Sequence, residues 1–367
     1  MKALFSDYCM RYYLKVSEKE KKILMRQYGA LDSIDWERSI HEDLPMMRGG
    51  GSANLKAPYQ KALAHFDAYK EKLTSNGVRF VSPKDKHYPQ NLSYIEDAPQ
   101  LLFYKGQLAP INTKKTVAII GARKPSGYGL RVAHDLSEML ARHDVTVVSG
   151  LALGIDAAAH QGSLKDKGRT FAVMATGVLE VYPKQNALLY QEILDNGGCI
   201  VSEKPLFEKA MRYDFPFRNR IISGLADIVI VVEASYKSGS LITAKYAADQ
   251  GKHVFALPGN IFSEVNQGTN QLIFEGATPL IRYKDVLEAL ALTMLNIAPT
   301  PEIDLSILSE EEQKVLQIIK KYNIIEISHL SDVLKMPLKQ VNICLSKLLL
   351  EDFCRYSSLT EIQCLIK

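Results

Sequence analysis

The stretch Gly121-Ala122-Arg123-Lys124-Pro125-Ser126-Gly127-Tyr128-Gly129 follows an apolar run, Val117-Ala118-Ile119-Ile120, and so falls on a strand-to-helix loop. Such a loop gathers backbone N–H groups and a helix N-terminus at one spot, which suits a phosphate. It is not the dinucleotide fingerprint, because Arg123 stands where that motif needs its second glycine. A forked cation occupies the space that a cofactor pyrophosphate requires. A second stretch, Phe215-Pro216-Phe217-Arg218-Asn219-Arg220, sets two arginines beside two aromatic rings. Backbone amides, arginines and rings together suit a nucleic-acid backbone and its bases better than a free nucleotide.

These residues need a frame that brings them to one rim. From about 116 to 291 the sequence alternates strand and helix patterns. Near-continuous Val/Ile/Ala runs at 117–122, 145–150, 171–176, 199–203, 228–233 and 253–257 read as strands covered on both faces. Helical segments at 130–142, 155–165, 187–195, 219–225 and 241–250 separate them. The repeat predicts an α/β fold with a doubly wound, mainly parallel sheet. Ligands of such sheets bind outside the carboxyl ends of the strands. Four Gly/Ser-rich strand ends then share one rim: 121–129, Ser149-Gly150 through Asp156, Ala175-Thr176-Gly177 leading to Tyr182-Pro183-Lys184, and Ser238-Gly239-Ser240.

Residues 1–105 read as a small, mainly helical domain, with helices at 15–28 and 59–75, a flexible loop Arg48-Gly49-Gly50-Gly51-Ser52, and a short strand at 78–81. The sheet domain spans 106–291. Residues 292–304, with Pro299 and Pro301, read as a linker. The last segment, 305–367, predicts three helices and a β tail: an N-cap at Ser309 before Glu310-Glu311-Glu312, a helix at 327–334, a third begun by Pro337, and a hairpin within 353–366. That order suggests a winged helix.

Composition limits the alternatives. The chain of 367 residues is 47% hydrophobic and 23% charged, the balance of a globular protein of two or three domains. Net charge is only +4, but between Pro110 and Arg131 there are five cations and no acid, a local potential suited to a phosphate backbone. The five cysteines are scattered with no Cys-x-x-Cys pair, which fits a reducing cytoplasm and neither a disulfide framework nor a zinc site. No signal pattern and no apolar run of about 20 residues points to a membrane. The sequence lacks a phosphate-binding Gly-x-x-x-x-Gly-Lys-Ser/Thr and a Gly-x-Ser-x-Gly elbow, and Ser149 ends the second strand where a ribose-binding acid is needed. No cofactor or metal is expected.

Single residues keep two readings. Asp156 fits an N-cap or a functional acid. Arg218 and Arg220, two apart on a helix, do not share a face, so one can face ligand while the other meets a buried carboxylate such as Asp227 or Glu233. Phe215 and Phe217 suit a stacking platform or a core.

The motifs together resemble the DNA-processing protein A family (DprA, also called Smf). The match runs through Gly121-Ala122-Arg123, Ser149-Gly150-Leu151-Ala152-Leu153-Gly154-Ile155-Asp156, Tyr182-Pro183, Phe215-Pro216-Phe217-Arg218-Asn219-Arg220, Val232-Glu233-Ala234, Ser238-Gly239-Ser240 and Pro258-Gly259. The resemblance implies an extended Rossmann-like domain that binds single-stranded DNA. It further implies protection of that DNA, loading of a RecA-type recombinase in natural transformation, homodimers, and no enzymatic activity. It also implies a small sterile-alpha-motif-like or helix-hairpin-helix N-terminal domain, here read as a divergent sterile-alpha-motif-like one, and a C-terminal winged helix. Carried over by position, Arg123 contacts phosphate, Arg212 is a basic DNA contact, Phe215 packs on a base, and Arg218, Asn219 and Arg220 complete the pocket. Lys124, Ser126, Ser149 and Gly150 of the two glycine-rich loops finish the expected DNA-binding set. The apolar segment Gln271-Leu272-Ile273-Phe274 is the expected dimer contact. The alternative is a Rossmann-like nucleoside-phosphate hydrolase. Its Pro-Gly-Gly-x-Gly-Thr loop breaks off here at Pro258-Gly259-Asn260.

Overall fold

The computed structural model describes the chain except residues 49–54, 166–167, 292–307, 323, 351–352, 359 and 365–367. It divides into two compact units, Met1–Met294 and Leu295–Lys367. The expected linker and loop residues 49–52 lie outside the described residues.

The first unit is built on a nine-stranded sheet: β1 Arg79–Val81, β2 Leu102–Gly106, β3 Thr116–Ile120, β4 Thr146–Ser149, β5 Thr170–Val173, β6 Cys199–Ser202, β7 Ile228–Val231, β8 His253–Ala256 and β9 Thr278–Pro279. Their order is β1-β2-β6-β5-β4-β3-β7-β8-β9. Strands β3 to β9 are parallel, with Val117 opposite both Val147 and Ile228. β2 joins β6 antiparallel, and β1 joins β2. The chain therefore winds from β3 outward to β6, then returns to β3 with β7. The rim beside β3 is the switch point where such sheets open a crevice.

Every residue of β3 to β7 is buried, as their apolar runs require. Alternate residues serve two cores. Val117, Ile119 and Val147 pack with Val132, Leu136 and Leu140 of the helix Gly127–Arg142. Ala118, Ile120 and Val148 pack with Ile221, Ile222 and Leu225 of the helix Asp214–Leu225. The predicted strands end one to three residues late, because their last residues already belong to the rim loops.

The N-terminal boundary differs from expectation. Residue 105 falls inside β2, and the segment holding β1 and β2 extends the main sheet. The N-terminal helices share one apolar cluster with the sheet: Leu4, Tyr8 and Tyr69 join Phe103, Ala172, Met174 and Ile200. The helix expected at 15–28 begins at Glu18, because Lys15 adopts φ 50 and ends a π-helical turn, Cys9–Leu14. Ser17 and Glu20 then form a capping box. The second helix is Lys56–Ser75. Gln271-Leu272-Ile273-Phe274, read as a connection, is the end of a helix, Gln267–Phe274, and Phe274 is 86% exposed.

The second unit contains helices Glu310–Tyr322, Ile327–Leu334 and Leu338–Leu350, with strands β10 Ile324–Glu326, β11 Cys354–Tyr356 and β12 Glu361–Cys364. The expected cap is present: Ser309 and Glu312 bond each other's backbone N–H. The hairpin pairs β11 with β12, and β10 adds a third strand that the sequence pattern did not reveal. Among the described residues no helix is long and apolar enough to cross a membrane.

Candidate nucleic-acid interface

The loop after β3 turns sharply into the helix Gly127–Arg142, and Ser126 caps that helix through its Oγ, which accepts from the Gly129 N–H at 3.1 Å. The anion slot at the helix start is already filled. Glu233, fully buried after β7, accepts from the Ser126 N–H at 2.8 Å and from the Ser126 hydroxyl at 2.5 Å. A Cβ at Gly129 would lie 2.5 Å from that carboxylate, so a larger residue there would have to displace it. The chain's own carboxylate thus sits on this helix end. Ser126 gives its amide and hydroxyl to that internal contact.

The loop after β4 behaves alike. Ser149, fully buried, donates its hydroxyl to the Ile119 carbonyl at 2.6 Å, so its side chain is no ligand contact. The Gly150 and Ala152 amides point inward to Asp156 Oδ2, at 3.1 and 3.4 Å. Burial raises the Asp156 carboxyl above its ordinary range, against the pull of Arg218 and these amides. A Cβ at Gly150 would meet Asp156 at 2.7 Å and Arg218 at 2.8 Å. Asp156 is thus an internal anchor rather than a functional acid.

The two arginines of the helix Asp214–Leu225 diverge, as their spacing requires. Arg218 lies beneath the rim, its Nη1 donating to the carbonyls of Gly150, at 3.0 Å, and Val173. Burial, with Arg123 nearby, lowers it to about 10 despite Asp156. Arg220 turns the other way. Its Nη2 meets Glu203 at 2.7 Å, and its guanidinium carbon stacks 3.9 Å from the Phe217 ring centroid. It is 4% exposed, apart from the outward-facing rim residues. The carboxylate that receives it is Glu203, since Asp227 is taken by Thr116 and Glu233 by Ser126. Asn219 links helix to rim, donating to the Gly239 carbonyl at 3.3 Å and accepting from Arg218 Nε at 3.2 Å.

What faces outward is a smaller group. Arg123, Lys124 and Arg212 are exposed, and among the described residues none of them is held in an ion pair. Phe215, half-buried on the first helical turn, places its ring centroid 5.7 Å from the Arg123 guanidinium and 5.5 Å from the Tyr182 ring. Tyr182 was read only as part of a rim loop. Its aromatic neighbour lies 33 positions away in sequence (215 − 182), so no local signal pairs them. Arg123, Gly150, Thr176, Tyr182, Phe215 and Arg218 line a recess of about 70 Å³. Pockets that engulf drug-sized ligands run to about 300–1,000 Å³. This recess is a small seat on the rim, with Arg123 beside its aromatic pair. Such a surface can hold a phosphate by charge and a base by stacking.

The structure sets a cationic, aromatic rim at the switch point of an extended Rossmann-like sheet. The family model for DNA recombination-mediator protein A matches residues 79–291, and the chain belongs to that family. The match begins at β1, which agrees with β1 and β2 being part of the sheet. The chain is 39% identical to DNA processing protein DprA of Bacillus subtilis over 232 residues, 63% of this chain and 76% of that protein. It is 44% identical to DprA of Streptococcus pneumoniae over 203 residues, 55% and 71% of the two chains. The X-ray structure of the S. pneumoniae protein superposes with a TM-score of 0.64 at 34% identity, covering 77% of this chain and 96% of that one. A Helicobacter pylori DNA processing protein A structure, described for its single-stranded DNA binding mode, gives 0.53 at 30% identity over 58% and 96%.

Proposed function

We propose that this chain binds single-stranded DNA with little sequence preference through the rim formed by Arg123, Lys124, Arg212, Phe215 and Tyr182, with Arg218 and Asn219 holding the rim's shape. The observation that carries this reading is the Phe215–Tyr182 pair with the Arg123 guanidinium beside it, on a rim whose helix N-terminus is occupied by Glu233. Phosphates then bind to side chains, and any base can stack on the ring surface. Family membership supports the wider role: a cytoplasmic mediator without enzymatic activity that protects single strands and loads a RecA-type recombinase in natural transformation. The exposed end of the helix Gln267–Phe274 supports a homodimer contact. The helix–strand–helix–helix–hairpin order of the second unit supports a winged-helix module. No contact favours the hydrolase alternative. The Gly259 backbone is clamped on both sides by the Asn270 side chain, at 3.1 Å each, with no carboxylate in the clamp.

Fluorescence anisotropy with a labelled oligothymidylate and a blunt-duplex competitor tests the reading. Single strand should win, and affinity should fall steeply with salt. Equal affinity for both forms without salt dependence overturns it. Filament growth of a RecA-type recombinase on strands coated with single-strand-binding protein tests the loading role.

A further inference from the structure

The segment from Glu203 to Tyr213 carries Arg212 and leads into Phe215, yet it has no regular structure. Phe207, Met211 and Tyr213 on it are more than half exposed. Apart from Leu206, which is buried in the core of the N-terminal helices, polar anchors hold the segment in place. At its far end Lys204 Nζ meets Asp214 at 2.6 Å and the Lys209 carbonyl at 3.2 Å. Near its middle the Glu208 carbonyl accepts from the Gly177 N–H at 2.7 Å.

The Leu179 N–H donates to the Leu206 carbonyl at 2.9 Å, and Arg220 meets Glu203 at 2.7 Å. A further anchor comes from the opposite end of the chain. Arg11 Nη1 reaches both Glu208 carboxylate oxygens, at 3.1 and 3.3 Å, and Arg11 Nη2 donates to the Glu203 carbonyl at 3.3 Å. One guanidinium thus ties the segment at two points. Asp7 holds the fork from behind, at 3.1 Å to both Nε and Nη2. Lys21 adds a second cation 3.8 Å from Asp7. The Arg11 and Glu208 side chains are 22% and 27% exposed, so solvent screens this contact less than a surface pair. A planar fork with fixed donors suits five acceptor atoms in one arrangement, which a lysine cannot reproduce.

We propose that Arg11 is a positioning residue for DNA binding: the N-terminal helices hold the 203–213 segment through Arg11, so that Arg212 and Phe215 meet the strand already in place. The inference rests on the single-strand reading above and gives the N-terminal helices a role in it. Arg11 itself touches no DNA.

The test uses the full chain with Arg11→Gln and Glu208→Gln. The second variant leaves the Asp7–Arg11 pair intact and serves if the first does not fold. If release leaves about one-tenth of molecules with a competent segment, Kd for labelled oligothymidylate rises roughly tenfold in each variant. The salt slope stays at the parental value, because no phosphate contact is lost. Amide exchange across 204–213 accelerates. In an Arg212→Ala/Phe215→Ala background the loss shrinks below about twofold, since the latch acts through those residues. Parental affinity in both variants overturns the proposal, as does a slope lowered by about one, which would make Arg11 itself a phosphate contact. So does a full loss that persists in the double-alanine background. If the parent chain does not bind the strand, the single-strand reading fails instead, and the exchange comparison still decides whether the latch exists.

Discussion

Replacing Phe215 with alanine separates a stacking platform from a core residue. A buried phenylalanine costs about 3–5 kcal/mol of stability when truncated to alanine. Phe215 is only half-buried, and its identified ring contacts are Tyr182 at 5.5 Å and the Arg123 guanidinium at 5.7 Å. Losing one aromatic pair removes about 0.5–1.5 kcal/mol, and one exposed cation–ring contact about 0.5–1. The folded state should therefore lose roughly 1–2 kcal/mol, a fall in Tm of a few degrees. Binding should lose about 1–3 kcal/mol, the worth of one stacked base, or roughly 5- to 150-fold in Kd. The salt slope should not change, because a ring holds no counterion. Phe215→Leu sharpens the comparison: it restores apolar packing and stability but not the flat face, so the binding loss should remain. Thermal melts beside anisotropy titrations read both quantities. A stability loss above about 3 kcal/mol would assign the ring to the core. Full affinity in a stable alanine variant would remove it from the site.

Arg123→Ala and Arg212→Ala should each weaken binding and lower the slope of log K against log salt by about one. Arg220→Ala should leave that slope alone and lower stability by roughly 2–4 kcal/mol, because it strands the partly buried Glu203. His160 is buried beside Thr170 with its Nε2 unpartnered, and burial lowers it to about 3. The unfolded chain takes up this proton near pH 6.5 and the folded chain only near 3, so stability falls with pH below about 6.5, by about 1.4 kcal/mol per unit. The raised Asp156 carboxyl has the opposite sign, favouring the fold as pH falls. Urea melts at pH 7 and 5 should show the His160 contribution as the difference between parent and His160→Asn; identical pH dependence of the two would refute it. A chain ending at residue 294, the limit of the first compact unit, should keep single-strand affinity within about threefold, since linkers bound independent folding units. A folded truncation that binds far more weakly would place a primary site in the second unit.

Strands β3 to β7 were legible because burial on both faces leaves little choice of residue: each is built around an apolar run. The rim loops were legible for the same reason, as the glycines and serines that interrupt those runs. Contacts between distant residues were not. The spacing of Arg218 and Arg220 showed that they must diverge, but Glu203 could not be chosen over Asp227 or Glu233 without the fold. Glu233 was visible in Val232-Glu233-Ala234, yet nothing near it shows that it reaches Ser126. Tyr182 was missed as a site residue because it joins Phe215 only in space. β1 and β2 were missed as strands of the main sheet because β1 pairs only with β2, and β2 joins the sheet through β6, which lies far along the chain.

That last pairing orders events during synthesis. Phe103 on β2 pairs with Ser202 on β6, so 99 further residues (202 − 103) must emerge before the strand finds its neighbour. At about 5–20 residues per second, the antiparallel edge waits on the order of 5–20 s for its template. Strands β3 to β6 can add one after another meanwhile, each beside the last. The N-terminal helices share their core with Ala172, Met174 and Ile200, so their apolar faces stay uncovered through the same interval. A nascent chain halted before residue 199 therefore displays an open β2 edge and a bare helical face together, the surfaces a ribosome-associated chaperone would meet first.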